Sequence, residues 1–276
     1  MNIRDQAYRF SKQQIRQDKR NTKVINKIVD ENSKEFMQWW ALFQSVYPEY
    51  DNTTNSQIPN HELVNMLDMY AIQHGLQPAN VSNVDQLLDY ASTVYSSVIA
   101  SESITKINKS LHTDVSQTAD LGQKIYKHVA EQLTDEEIKR SYDGRKWSDN
   151  VWSNQAQLRN DVSKAMRQAM LSGNNPMSYA KDLRKKFGVF KYQAERILRT
   201  EGARVSGKQQ MRNIKASGFD YAEWVASAGA CRYCMEMDGK RFKVSKYGSD
   251  PYVLPKHHNC RCAVVAADNP DDIIDG

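Results

Sequence analysis

The sequence predicts a mainly α-helical protein, with an elongated helical body over about residues 1–218 and a small α+β domain after it. Apolar residues recur at the three- and four-residue spacings of amphipathic helices over most of the first 217 positions. From residue 219 onwards the pattern changes to short alternating segments separated by glycines and prolines. All four cysteines of the 276-residue chain lie in this last part.

Helical periodicity can be followed in order along the first half of the chain. One long helix, or two joined helices, is predicted over residues 1–47, and a second helix over 62–74. A third helix is expected to begin after a cap at Ser82 or Asn83, and a fourth near residues 115–132. The sequence from Thr134 to Glu137 has the pattern of a capping box, which predicts a further short helix.

The second half continues in helices and then changes to strands. Predicted helices cover about residues 149–171, Ser178 to Gly188, and 191–217, with a turn at 173–176 and a stop at Gly218. Alternating apolar residues then predict strands at 221–227, 242–244 and 263–265. The acidic tail, residues 268–276, is expected to be frayed.

Charge is strongly segregated along the chain despite a net charge of only +5. Residues 1–23 carry seven Lys and Arg against two acids, residues 24–138 six against sixteen, and residues 139–217 eighteen against six. Such asymmetry indicates that different parts of the surface meet different partners. We therefore predict four regions: a helical N-terminal region at 1–138 that is expected to contact the portal or capsid, a basic helical region at 139–218, a small metal-binding domain at 219–267 and an acidic tail at 268–276.

The cysteines form a pattern that is typical of a metal site. Cys231 and Cys234 form a Cys-x-x-Cys turn, and after 22 residues comes the run His257-His258-Asn259-Cys260-Arg261-Cys262. Tetrahedral zinc takes four sulfur or nitrogen ligands, so the spacing predicts a structural zinc ion. Cys231 and Cys234 are the firmest candidates. The other two ligands come from His257, Cys260 and Cys262, with His258 a weaker choice.

Two other interpretations of the cysteines are less favoured. Reduced cysteines can pack as small apolar residues. A redox role is disfavoured because no alternating strand–helix pattern surrounds the Cys-x-x-Cys turn. Four protein ligands also leave no open coordination position, which argues against metal catalysis.

A series of short motifs resembles one known family. In order they are Trp147-Ser148-Asp149…Trp152, Gly173…Pro176…Ser178, Arg199-Thr200-Glu201, Gly218, Trp224, Cys231-x-x-Cys234…Asp238-Gly239-Lys240…Pro255…His257…Asn259-Cys260-Arg261-Cys262. Over roughly residues 140–265 this order resembles the phage Mu protein F-like, or minor head, family of tailed bacteriophages. The family usually has a proline after the histidine, where this chain has His258.

The resemblance implies a minor head protein that is not an enzyme. The expected partners are the portal protein, other head proteins and double-stranded DNA, with no membrane. The expected location is the virion, in the capsid interior or at the portal vertex, and the host cytoplasm during assembly. The N-terminus agrees, because its first 20 residues lack the apolar core of a secretory signal.

Two alternative functions are weighed against this one. The protein could bind and protect DNA ends, or it could be a zinc-supported nuclease. The nuclease is disfavoured because the histidines lie inside the second ligand cluster and no Asp-His pair occurs upstream. A Gly-x-x-x-x-Gly-Lys match at residues 202–208 is also set aside as a phosphate loop, because it falls inside a predicted helix and no strand precedes it.

Several further expectations concern single residues. Glu201 and Arg204 are expected to form an ordinary pair on a helix surface, and Thr200 to help hold this helix onto the metal domain. The first 23 residues are interpreted as a basic arm. Four tryptophans are expected in the core: Trp39, Trp40, Trp147 and Trp152. Four clustered cations are expected to form a DNA-binding patch: Lys181, Arg184, Lys185 and Lys186.

Overall fold

The computed structural model describes residues 2–51, 53–141, 143–172 and 176–267, the side chains of 176–179 excepted. Helices dominate the described residues, and a three-stranded sheet follows them. The helices are α1 (Ile3–Val46), α2 (His61–Gln73), α3 (Val84–Tyr126), α4 (Asp135–Lys139), α5 (Trp147–Leu171), α6 (Pro176–Ala216) and α7 (Arg232–Glu236), and the strands are β1 (Tyr221–Val225), β2 (Arg241–Lys243) and β3 (Ala263–Ala267).

The predicted class, mainly α with a small α+β domain at the C-terminal end, is therefore confirmed. Within the described residues, no helix combines the length and the apolar character needed to cross a membrane. The Thr134 capping box is present, with both of its hydrogen bonds. Gly218 has a φ of +79° just after α6, in the left-handed region that glycine favours, which confirms the predicted stop.

Two predicted helix boundaries are wrong, because α3 and α6 are each continuous. In α3 the buried face continues through small polar residues, Ser103 and Ser110, which interrupt the apolar period in the sequence without breaking the helix. Val129, predicted to lie inward on a fourth helix, is 70% exposed and follows the end of α3. In α6, Gly188 is helical, and buried Phe187 and Phe190 on either side anchor that stretch.

The remaining predictions concern a turn, the tail, the basic arm and four tryptophans. The predicted turn at 173–176 lies largely outside the described residues, as does the tail at 268–276. The basic arm is not a separate segment, because residues 3–23 are the first turns of α1. Trp39, Trp40 and Trp147 are buried as expected, whereas Trp152 is 43% exposed, so that expectation is wrong for one tryptophan.

The chain forms two compact units, each assembled from several segments. The first contains residues 1–23, 106–148 and 195–276, and the second contains residues 24–105 and 149–194. The four regions predicted from charge are each continuous in the sequence, whereas each unit combines separate segments of the chain. The candidate metal ligands all belong to the first unit.

An aromatic core holds the second unit together. The ring of Trp39 packs at a tilt against that of Phe43, with centroids 5.4 Å apart, and its indole N–H donates to the carbonyl oxygen of Leu63 at 3.2 Å. Phe36 packs against Tyr95 and Phe187, with centroids 5.5 and 5.6 Å away. These rings come from α1, α3 and α6, so the helices of this unit share one apolar centre.

The sheet of the first unit has the order β2-β1-β3, with both pairs antiparallel. Central strand β1 buries Ala222 and Trp224 in the core of the small domain. Val225 and Val265 instead pack with Ala7 of α1. Because β1 is covered on both faces, the small domain is packed onto the helical part of its unit rather than standing alone.

Glycines allow α6 to approach the small domain closely. A Cβ atom added at Gly207 would lie 2.9 Å from Cβ of Leu254 and 2.5 Å from the hydroxyl of Tyr247. The Gly-x-x-x-x-Gly-Lys stretch lies wholly inside α6, as predicted, and Gly207 there has a packing role. Gly188 has open space around the same position.

We predict opposite effects for alanine at these two glycines of α6. Gly207→Ala should lower the free energy of unfolding by about 1–3 kcal/mol, because the added methyl overpacks the contact with Leu254. Gly188→Ala should raise it by about 0.5–1 kcal/mol, because alanine loses less backbone entropy in a helix. Urea unfolding of both variants measures this, and equal effects at the two positions would contradict the close approach at Gly207.

Candidate metal centre

The Cys-x-x-Cys turn is built on the short helix α7. Cys231 is the N-cap residue of this helix, and its carbonyl accepts a hydrogen bond from the backbone N–H of Met235 at 2.9 Å. Cys234 lies one turn on and is fully buried, whereas Cys231 is exposed. The helix therefore carries one exposed thiol and one buried thiol three residues apart.

The second half of the cluster lies on the turn at residues 257–260. The backbone N–H of Cys260 donates to the carbonyl of His257 at 3.1 Å, and Asn259 has a φ of 64°. The Asn259 N–H also donates to the hydroxyl of Thr200 in α6, at 3.2 Å. The expectation that Thr200 holds α6 to the metal domain is thereby confirmed.

The structure brings all five predicted ligands together in two overlapping groups. Nε2 of His257 lies 3.3 Å from the sulfur of Cys231 and 3.3 Å from that of Cys234. On the other side, the sulfurs of Cys234 and Cys260 are 4.0 Å apart, and Cys262 joins them. Ligand atoms within each group lie within 4.8 Å of one another, and Cys234 belongs to both.

Burial and mutual hydrogen bonds shift the pKa values of the buried thiols in opposite directions. A hydrogen bond from the Cys234 thiol lowers the pKa of Cys260 to about 2, and the same contact raises the pKa of Cys234. The hydrogen bond with Cys260, together with burial, raises the pKa of Cys262. The cluster thus favours a thiolate at Cys260, and thiolate is the form of cysteine that binds metals.

The spacing of these donors fits a tetrahedral metal ion. With metal–sulfur bonds of about 2.3 Å, neighbouring sulfurs in such a site lie about 3.8 Å apart, close to the distance between Cys234 and Cys260. Nδ1 of His257 lies 2.8 Å from the carbonyl oxygen of His258, which leaves Nε2 facing the sulfurs. A backbone carbonyl on the far ring nitrogen is the usual support of a metal-binding histidine.

Two residues of the predicted run have other surroundings. The His258 side chain is exposed and belongs to neither group found among the described residues. Cys262 is buried directly before β3, and the backbone N–H of Ser227 donates a hydrogen bond to its sulfur. This bond lowers the pKa of Cys262, but the hydrogen bond with Cys260 and burial raise it more. These contacts make His257 and Cys260 the better partners for the Cys-x-x-Cys pair.

Between the two buried cysteines of this run, Arg261 enters a buried cluster of charges. Its Nε donates to Oδ2 of Asp18 in α1 at 2.7 Å, and its Nη2 also contacts Oδ1 of that carboxylate. Nη2 lies 3.6 Å from Oδ2 of Asp114 in α3. All three side chains are at most 4% exposed, so the guanidinium joins the cysteine turn to two helices.

The two carboxylates in this cluster are not equivalent. Asp18 receives both arms of the guanidinium, a bidentate arrangement that gives strong charge-assisted hydrogen bonds. Oδ2 of Asp114 is buried without a hydrogen-bond partner in the described structure, and desolvation raises the pKa of Asp114 to about 6. A Cβ at Gly202 would lie 2.5 Å from Arg261 and 2.6 Å from Asp114, so glycine makes room for the cluster.

The Glu201–Arg204 pair of α6 is buried, so its assignment to the helix surface is wrong. Arg204 is 1% exposed, and its Nε lies 2.5 Å from Glu201. Its other nitrogens donate to the carbonyl oxygens of Glu137 and Ile138, and Ser141 donates to Glu201 at 3.0 Å. The i,i+3 spacing predicts correctly that Glu201 and Arg204 pair. The burial of this pair depends on the segment around α4, which the spacing does not reveal.

Sequence reasoning missed Asp18, Asp114 and Arg261 as a unit. The signal available was weak: Ser11, Asp18 and the positions around them are polar residues at helical spacing on the buried side of α1. An acid on such a face requires a buried partner, but the sequence does not say which cation supplies it.

A family model matches part of the chain. Residues 160–265 match the family model described as Phage Mu protein F like protein, which covers well under half of the chain and includes all five candidate ligands. No curated protein and no solved structure gives a significant match. The resemblance predicted from the motifs is confirmed over this stretch. The match begins later than the predicted residue 140, so Trp147 to Trp152 lie outside it.

We predict that the two acids beside Arg261 differ in their importance for stability. Asp18→Asn should lower the free energy of unfolding by about 3–5 kcal/mol, because it leaves the buried guanidinium without its bidentate partner. Asp114→Asn should cost less than about 1 kcal/mol, because the remaining Asp18–Arg261 pair is electrically balanced. Denaturant unfolding at neutral pH measures both. The account fails if Asp114→Asn is the more damaging substitution.

Proposed function

We propose that this protein is a non-enzymatic minor head protein of a tailed phage, which binds the portal and packaged DNA during head assembly or DNA delivery. The family match over residues 160–265 is the observation that carries the proposal. The site supports it as well. A metal ion held by four protein ligands has no open coordination position for a substrate, which favours a structural role over the nuclease alternative.

We further propose that the metal is zinc, held by Cys231, Cys234, His257 and Cys260. Thiolates with one imidazole form a donor set that suits zinc. The small domain has a core of limited size, so a bound metal would supply part of its folding free energy. Cys262 then lies beside the site as a buried thiol.

We predict close to one zinc ion per chain in protein purified without chelator. Cys234→Ala should lose the metal, because Cys234 belongs to both groups of donors. It should disorder residues 219–265 while leaving most of the helical circular dichroism intact. Elemental analysis with circular dichroism measures both effects.

Two matched variants identify the fourth ligand. His257→Ala should lose zinc, and Cys262→Ala should retain it. The opposite result would establish a four-cysteine site, and only trace zinc in the wild-type protein would remove the metal from the proposal.

The portal contact is proposed to lie in the acidic N-terminal region, on helix α2. Three apolar side chains at spacings of three residues point outward there: Met66 is 39% exposed, Met69 72% and Ile72 62%. Ile58, shortly before the helix, is 80% exposed. A row of exposed apolar residues within an acidic region suits a protein partner, because apolar burial supplies affinity and the charge excludes DNA.

We predict that a Met69→Glu/Ile72→Glu double variant no longer co-purifies with the portal protein of its own phage. Val189→Glu, which changes another exposed apolar residue, is the matched control and should bind as the wild-type chain does. The full chain is used because a cut at residue 138 divides segments of the first compact unit. Unchanged co-purification of the double variant, with wild-type circular dichroism, would place the contact elsewhere.

A further inference from the structure

Helix α1 carries a continuous row of cations on one side over its first turns. Six side chains form this row, which we call the α1 basic face, and all of them are exposed: Arg9, Lys12, Arg16, Lys19, Arg20 and Lys23. At 3.6 residues per turn they fall within an arc of roughly 100°, and they extend over about 21 Å of the helix axis. Together they form a narrow, uniformly positive surface.

The acids of this segment do not neutralise the row. Asp18 points to the buried side of α1, where Arg261 binds it. Asp5 is exposed one turn before Arg9, and no ion pair joins it to the row among the described residues. Within the described part of the chain, none of the six cations forms an ion pair. Asp120 lines a groove together with Arg9 and Lys124.

The basic region predicted from the sequence has a different character. At least nine of its eighteen Lys and Arg side chains form ion pairs with acids, including Arg167 with Asp85 and Lys191 with Asp30. Lys186, one of the four predicted DNA-binding cations, lies 3.6 Å from Asp161. Five of the paired cations use acids outside the region, so part of the charge excess at 139–217 is balanced within the fold. The α1 basic face has no such pairing among the described residues.

We propose that the α1 basic face binds the phosphate backbone of double-stranded DNA without sequence preference. The inference rests on the DNA contact in the proposed function and names the surface responsible for it. None of the exposed large apolar residues of the described chain lies between Ile3 and Lys23. Protein interfaces need an apolar or aromatic centre, whereas phosphate binding needs only regularly spaced cations, so the surface suits a duplex better than an acidic protein.

The geometry also suits a long polyanion rather than a small ligand. The row is convex, because it follows one side of a helix. Duplex DNA carries about one charge per 1.7 Å of its axis, so a row of about 21 Å meets several phosphates at once. Each neutralised phosphate contributes about −0.9 to the salt slope, which gives a slope near −5 for six contacts.

The test compares two triple charge reversals in the full-length protein. Arg9→Glu/Arg16→Glu/Arg20→Glu removes half of the α1 basic face, and Arg184→Glu/Lys185→Glu/Lys186→Glu alters the region predicted from the sequence. Binding to a random-sequence duplex is measured by fluorescence anisotropy between about 50 and 200 mM salt. Circular dichroism and zinc content verify that each variant is folded.

We expect the α1 variant to lose at least about 100-fold in affinity and about half of its salt slope, because three phosphate contacts are removed. The second variant should stay within about threefold of the wild-type protein. The reverse pattern would overturn the proposal and assign DNA binding to residues 139–217.

The remaining outcomes also decide the matter. Wild-type protein that does not bind the duplex refutes the DNA contact altogether, while co-purification with the portal still tests the proposed head function independently. An α1 variant that keeps duplex binding but loses the portal would show that the basic face binds an acidic protein surface instead, which contradicts the proposal.

Discussion

The buried contact of Arg261 with Asp18 and Asp114 is the constraint on which the first compact unit depends. It joins the turn that carries the cysteines to α1 and α3, and it does so between two of the buried thiols. A charge removed from water this completely is stable only with paired and well-oriented partners. The positions of α1, α3 and the cysteine turn in this unit are therefore coupled through one guanidinium.

This coupling gives the two sides of the first turns of α1 different roles. On the buried side, Asp18 holds the small domain, and Ala7 packs with Val225 and Val265 of the sheet. Because the only buried acid of this segment is used inward, the outward side retains uncompensated cations. The same helix thus packs against and stabilises the small domain and, in our proposal, also provides the surface that binds DNA.

The sequence predicted the parts of the molecule that depend on local rules. The α4 capping box, the stop at Gly218, the three strands and the five clustered ligands all follow from spacing and turn chemistry. It failed where tertiary packing decides. Serines on the buried side of α3 interrupt its apolar pattern, and Gly188 resembles the end of a helix although α6 continues through it. The burial of Arg204 depends on carbonyl groups of a distant segment.

The central claim is that the cysteine cluster is a closed, structural metal site supported by the helices through Arg261. X-ray absorption at the metal edge of the purified protein tests it most directly, because the spectrum reports the identity and number of bound atoms. The account predicts four ligands, three sulfurs at about 2.3 Å and one imidazole nitrogen at about 2.0–2.1 Å. A shell dominated by oxygen, or one with a bound water in place of a protein ligand, would contradict it.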